Sequence, residues 1–470
     1  MKASPDAAVG RGFRKLGGGE AFARVIAFVA TAFLARRLGA DIYGIIVLST
    51  TILGYLGRIV DGGVDLLGIS DVAAAPQHLP ELLRRYSLAR LLIAVCLTVL
   101  LTLVCLIFLP EPDAAIVAAF AFMLPALALG TKWAHLGLEH AGSVSIARLS
   151  AELLSALLIT VLIRDAGALD SVPTILIAAE SLAAFLLMRS LPAVTVTLRE
   201  LFRSDEVLLL YRRSWPLVLN ALMGLVIFNS DFLFLRVVRD SASVGYYAAA
   251  YAMVSFFMNM GYTYQLMLLP VLTRVRSDAA AECGLYHASL AQVFAVILPI
   301  VIGGSILAAQ IISLVFGHTY VASVLPLRIL LWAMFISLVR NVAQSVLLSR
   351  GRQDRMLRYA LGAGLVNLAL NSVLIPRWGM SAAATVTVAT EAARTAPMLV
   401  FLRASGMSIP SMTRFWRALL AGCVMALVLR LSGVTVLWAA IPLGAVAYVL
   451  VLFLTRGIRI RRGALPELTV

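Results

Sequence analysis

Charge is scarce in this sequence, and lysine scarcer still. Only 13% of the 470 residues are charged, and lysine stands only at Lys2, Lys15 and Lys132. A soluble domain of this length needs far more charged surface to stay in water, so that class is excluded. Cysteine is equally sparse. Cys96, Cys105, Cys283 and Cys423 are far apart with no C-x-x-C spacing, which excludes a disulfide framework and a zinc site of the usual kind. His78, His135, His140, His287 and His318 are scattered, His135 sharing a helix face with Glu139, and there is no phosphate-binding glycine loop or nucleophile elbow. No enzyme motif stands out.

What fills the sequence instead is apolar. Hydrophobic residues make up 61% and the mean hydropathy is +0.96. They fall in blocks of about 17 to 25, the length a helix needs to cross about 30 Å of hydrocarbon at about 1.5 Å per residue. Strands of a membrane barrel would alternate polar and apolar residues. The expected fold is therefore all-α and polytopic, with about fourteen transmembrane helices. They begin near residues 17, 42, 83, 113, 146, 172, 214, 244, 288, 322, 356, 379, 414 and 434. The first apolar stretch is too long for a signal-peptide core and counts as helix 1.

The net charge of +15 and pI near 10.2 follow from topology rather than from nucleic-acid binding. Arginines gather in alternate connections, at Arg84/Arg85, Arg199 to Arg213, Arg274/Arg276, Arg350 to Arg358, Arg403 to Arg417 and Arg456 to Arg462. These and the N-terminus carry about three times the cations of the other connections, which puts both termini in the cytoplasm. The outer connections are short turns such as Leu109 to Asp113 and Arg239 to Ser243, with no room for an external domain. Residues 195–213 read as a cytoplasmic amphipathic linker that lies at the membrane interface and connects two halves. The halves share features: ARRLGADIYG (Ala35 to Gly44) against LRVVRDSASVGYY (Leu235 to Tyr247), and Glu180 against Glu391. The expected organisation is two pseudo-symmetric six-helix lobes, 1–194 and 214–402, with two further helices and a tail in 403–470. Repeated halves are the usual build of secondary transporters, with the substrate site between them.

Charged residues inside the spans are the next clue, because lipid holds an ion at a cost of about 2.5–3.5 kcal/mol even on the lenient scale. Arg24, Arg58, Arg90 and Lys132 in the first half, and Arg340 and Arg394 in the second, all fall toward one face. Arg24 sits about 10 Å from its helix end. Each could snorkel alone, but Arg24 has Glu20 at i−4, and Arg58 has Asp61 and Asp65 at i+3 and i+7. Paired ions imply a watery or protein-lined setting. A cationic vestibule follows, and arginine's planar fork suits diphosphate oxygens. The acids Glu152, Glu180, Asp231 and Glu391 are fewer. Asp231, in FNSDFLF, must be protonated, paired or cation-bound, so it reads either as a proton or Na⁺ coupling group or as a structural hydrogen-bonded acid. Asn367 and Asn371 stand at i and i+4, followed by Thr385, Thr387 and Thr390, oxygen ligands that suit Na⁺ when a carboxylate joins them and that equally suit helix–helix hydrogen bonding.

Several of these segments resemble a known family. ARRLGADIYG with VDGGVDLLG, DFLFLRVVRDSASVGYYAAAY with LLPVLTRV, and NLALNSVLIPRWGMSAAATV resemble the polysaccharide (Wzx-like) flippase branch of the multidrug, oligosaccharidyl-lipid and polysaccharide exporter superfamily. The resemblance implies two six-helix lobes around a central cavity, alternating access, and an oligosaccharide on a polyprenyl diphosphate as the substrate, with no enzymatic step and no cofactor. It implies that Arg24 and Arg58 match cavity cations facing the diphosphate, and that Asp231, Asn367, Asn371 and Thr387 fall where a cation site lies in relatives. Asn371 stands where a carboxylate is common in the lipid II branch, and Asp71 replaces a basic residue. Besides the lipid-linked oligosaccharide and the bilayer, polysaccharide polymerase and export machinery are the implied partners, in a bacterial inner membrane. Two competing readings are a multidrug exporter of the same superfamily, which would need an acidic cavity, and a membrane sugar polymerase or ligase, which would need a large external loop.

Overall fold

A computed structural model describes residues 5–109, 111, 113–192, 204–407, 412–434, 436–455, 458–459 and 467–468, with side chains described from residue 22 onward except at 166, 204–210, 213, 216, 220, 228, 266, 412–414 and the tail pair. Of the expected linker, residues 195–203 lie outside the described residues, and from Ser204 the chain is already helical.

The apolar blocks form helices because hydrocarbon leaves the backbone no partner but itself. In chain order the helices of the first unit are α1 Pro5–Asp61, α2 Val64–Ala74, α3 Leu79–Phe108, α4 Asp113–Ala121, α5 Met123–Ala128, α6 Lys132–Gly137, α7 Ala141–Leu162, α8 Ser171–Arg189 and α9 Ser204–Val238. There follow α10 Ser241–Val275, α11 Ala279–Ile306, α12 Ala308–Val315, α13 Val324–Ser349, α14 Gln353–Ala404, α15 Met412–Leu431 and α16 Leu437–Leu454. A two-residue antiparallel pair, Ile458–Arg459 with Glu467–Leu468, lies in the tail.

Among the described residues nine helical stretches are long and apolar enough to cross a membrane, up to ten if the bent pair Leu217–Ile227 and Asn229–Val238 is one span. The difference from about fourteen has a simple source. With 57 residues α1 would measure about 85 Å, and α14 with 52 about 78 Å, more than twice the hydrocarbon thickness. Each breaks at a glycine in a backbone conformation that a side chain would strain, Gly39 (φ 80°) and Gly379 (φ 58°), and so holds two of the expected spans. Two further expected spans, on α10 and α15, are helical but not among the nine.

The chain divides into two compact units, Met1–Arg236 with Asp240–Gly245, and Val237–Arg239 with Tyr246–Val470. The span expected to open the second lobe, now α9, packs with the first unit. In that unit α7 lies against α1 and α8, and α3 against α4, around Phe120, Leu124, Ile163 and Val172, all essentially sealed from solvent. The two motifs matched in the sequence meet here. A Cβ on Gly44 would strike the Ser241 carbonyl and one on Gly245 the Ala40 carbonyl, so two small-x-x-x-small faces cross in reciprocal contact. In the second unit α13 packs on α14, α11 on α13 and α15, and α15 on α16.

Arginine secures the places where helices stop. The Arg90 guanidinium donates to the carbonyls of Leu127 (2.9 Å) and Gly130 (2.8 Å), beyond which α5 can make no further turns. Arg239 donates to the Pro376 carbonyl (3.1 Å) just before the break in α14, and Arg328 to the Ser305 carbonyl (3.0 Å) at the end of α11. Such carbonyls have lost their helical partners, and a fork with five donors reaches them where an ammonium would satisfy fewer.

Candidate functional site: charged clusters inside the spans

In the first unit α1 ends at Asp61, the chain turns at Gly62 and Gly63, and α2 carries Asp65. The Asp65 amide donates to Asp61 Oδ1 at 3.2 Å, drawing the two carboxylates together. Their partners come from other helices: Arg90 of α3 lies 3.9 Å from Asp61, and Lys132, the first residue of α6, stands 2.6 Å from Asp65. Arg90 is buried, whereas the Lys132 side chain is half exposed. Arg58 is exposed and lies within electrostatic reach of Asp65 without forming an ion pair among the described residues.

This arrangement differs from the expected one. The i+3 and i+7 spacing from Arg58 assumed a continuous helix, and the turn at Gly62–Gly63 interrupts it between Asp61 and Asp65. The acids pair with Arg90 and Lys132 instead. Three cations thus attend two carboxylates, and the surplus positive charge is that of the exposed Arg58, the one of the three with no ion pair among the described residues. Tyr211 of α9 donates its hydroxyl to the Ile59 carbonyl and Tyr55 donates to Leu225 (3.1 Å), clasping α9 to the cluster-bearing end of α1. Arg24 is half-buried on α1, and the side chain of Glu20, its expected partner, lies outside the described residues. Asp231 is 1% exposed on α9.

Other ion pairs here were not legible as such. Arg148 holds Glu152 at 2.5 Å and reaches Glu180 at 3.7 Å, joining α7 to α8. The i, i+4 spacing of the first pair was a usable signal. Buried Asp113, expected in a surface turn, starts α4 and accepts from Arg236 of α9. Asp71 accepts from the Tyr86 hydroxyl.

In the second unit Arg340 of α13 is 5% exposed and fully engaged. It donates to Glu391 of α14 (2.8 Å), to Gln344 (2.6 Å) and to Ser337 (2.8 Å), the last two one helical turn away on either side. Arg340 was expected to line a vestibule; here it is sealed against a carboxylate that is itself 0% exposed. One turn further along α14 a polar layer continues. Asn367 donates to Thr390 (3.1 Å), Asn371 donates to Asn367 (3.0 Å), and Thr387 shares a hydrogen bond with Tyr247 (3.2 Å). Asn367 and Asn371 therefore come together with Thr390 through these bonds, Thr387 is tied instead to Tyr247, and Asp231 belongs to the other unit. The same unit holds a cavity of about 580 Å³ between α11, α15 and α16, lined by Pro299, Leu331, Met425 and Tyr448 among others and by no charged residue. An anion has no reason to enter it.

The family of polysaccharide biosynthesis proteins matches residues 9–276, more than half of the chain and the whole of the first charged cluster. This chain belongs to that family. Among curated proteins none matches the sequence. Among solved structures, a lipid II flippase, MurJ, in an inward closed conformation is similar over 94% of this chain and 98% of its own, with a TM-score of 0.75 at 13% identity. An inward-facing multidrug resistance MATE transporter is similar over 82% and 95%, with a TM-score of 0.67 at 13% identity. A transporter of the same superfamily from Pyrococcus furiosus is similar over 86% and 96%, with a TM-score of 0.53 at 14% identity. At such identities the likeness is one of fold. This member of the polysaccharide biosynthesis family is a multi-pass α-helical membrane protein of that fold.

Proposed function

We propose that the protein is a flippase that moves a polyprenyl-diphosphate-linked oligosaccharide from the cytoplasmic to the outer leaflet by alternating access, for cell-surface polysaccharide synthesis. It acts as a carrier and not as an enzyme, in a bacterial inner membrane with both termini in the cytoplasm. Polysaccharide polymerase and export machinery are the partners this role implies. The observation that carries the reading is the charge imbalance of the first cluster. Arg58, Arg90 and Lys132 act on the two carboxylates Asp61 and Asp65, which leaves one positive charge in surplus, and two of the three cations, Arg58 and Lys132, are exposed. A net positive charge facing lipid tails is untenable, so those groups face water or an anion. A guanidinium and an ammonium acting on the same carboxylate, Asp65, suit the oxygens of a diphosphate. The membership in a polysaccharide biosynthesis family and the fold shared with a lipid II flippase support the same substrate chemistry. A carrier of cationic drugs is disfavoured by the sign of this charge.

Coupling is a second part of the proposal. Asp231 is buried, and in the other unit Asn367 and Asn371 are hydrogen-bonded to one another and to Thr390 with Thr387 also buried, which supports a Na⁺ or proton role for these groups. Replacing Arg58 and Lys132 singly by alanine is expected to cut flipping of the lipid-linked sugar at least tenfold in proteoliposomes, with insertion unchanged. Parent-like flipping in both variants would refute the role of the cluster. Transport indifferent to both Na⁺ and pH gradients would remove Asp231 from the cycle.

A further inference from the structure

Among the described residues of the second unit, Arg394 is a partly buried cation with no ion pair of its own. Arg394 lies on α14 one turn after Glu391, ten residues before the helix ends at Ala404, or about 15 Å at about 1.5 Å per residue. Its Nε is sealed from solvent and donates to nothing among the described residues, and the residue as a whole is only half-buried. The charged groups acting on it are Arg340 and Glu391. Glu391 is already committed: its Oε2 accepts from Arg340 at 2.8 Å, while its Oε1 is buried with no donor. Two guanidiniums therefore share one carboxylate, and the positive charge left over resides on Arg394.

An arginine in this state is costly unless something negative meets it. The Arg340–Glu391 pair, held further by Gln344 and Ser337, fixes the helix surface from which Arg394 projects. We propose that Arg394 is a phosphate-binding residue of the second unit, positioned by the Arg340–Glu391 pair. The ligand is a phosphate-bearing anion, and the inference rests on the transport reading in taking the diphosphate of the cargo lipid as its first source, with an anionic phospholipid head group as the other.

The test is binding of farnesyl diphosphate to the purified full-length protein in phosphatidylcholine nanodiscs, measured calorimetrically for the parent, Arg394→Ala, Arg394→Lys and Arg58→Ala. Arg394→Ala is expected to weaken binding at least tenfold and Arg394→Lys by less, since lysine keeps the charge and loses the fork. Thermal melting of each variant identifies any that fails to fold, and Arg394→Lys then carries the comparison. If phosphatidylglycerol nanodiscs lower the affinity of the parent but not of Arg394→Ala, the head group is the resident ligand at the same residue. Parent-like binding by Arg394→Ala together with weakened binding by Arg58→Ala would overturn the inference and leave the proposed function standing. Absence of binding to the parent itself would overturn both.

Discussion

Breaking the buried pair between Arg340 and Glu391 offers the clearest test of the energetics inside the second unit. Both side chains are almost fully enclosed, and the 2.8 Å contact joins α13 to α14 in the most extensive helix packing of that unit. Glu391→Gln keeps the shape and an acceptor oxygen but removes the charge, so Arg340 stays buried as a cation with only neutral partners, Gln344 and Ser337. Breaking a buried pair from one side costs about 3–5 kcal/mol. Because two hydrogen-bonded acceptors remain, the low end applies, about 3 kcal/mol or two powers of ten in the folding equilibrium. The double variant Arg340→Met with Glu391→Leu removes both charges and is expected to return to within about 1 kcal/mol of the parent, since similar-sized apolar residues replace a buried ion pair with little loss. Reversible unfolding in mixed micelles titrated with SDS, followed by tryptophan fluorescence, reads all three. A single variant within about 1 kcal/mol of the parent, or a double variant as unstable as the sum of the singles, would refute the claim that this pair is a buried and coupled unit.

Two further outcomes follow from the first unit. Arg90→Ala removes the side-chain donor from the Leu127 and Gly130 carbonyls and a partner from Asp61, so it is expected to lower stability by about 3 kcal/mol, and Arg90→Lys is not expected to restore it because one ammonium cannot replace the fork. Expression level and melting temperature in detergent check both. Gly44→Ala forces the α1–α10 crossing apart and is expected to cost about 1–3 kcal/mol, whereas Gly54→Ala, where an added methyl meets nothing within 4 Å, is expected to be neutral or stabilising by up to about 1 kcal/mol. Equal melting temperatures for the two variants would refute the close approach.

The arginine bias acquires a physical meaning in the structure. Read along the chain, it accounted only for loop charge. In the folded protein Arg90, Arg239, Arg328 and Arg350 place forked donors on carbonyls at helix breaks and ends, and Arg350 also holds the buried Glu282 through both oxygens, at 3.0 and 2.7 Å. That double contact raises the affinity of Arg350 for its proton above the ordinary arginine value, so this link persists at any pH at which Glu282 is ionised. Hydropathy registers none of this, because helix-end carbonyls are backbone groups and leave no mark in composition.

What the sequence determined by itself was the solvent and the periodic content: lipid, helices of spanning length, a surplus of cations on one set of connections, and the residues that carry charge in the spans. These depend on local composition and on the rise per residue of a helix, so one dimension suffices. The polysaccharide family was legible too, from ARRLGADIYG onward. The partners of those charges were decided only by tertiary structure. Asp61 and Asp65 looked like neighbours of Arg58 until Gly62 and Gly63 turned the chain and brought in Arg90 from α3 and Lys132 from α6. Arg340 looked like a vestibule cation until α14 presented Glu391 to it. Which ion pairs with which depends on the azimuth of each helix and on where it breaks, and both are settled when helices far apart in the chain pack together.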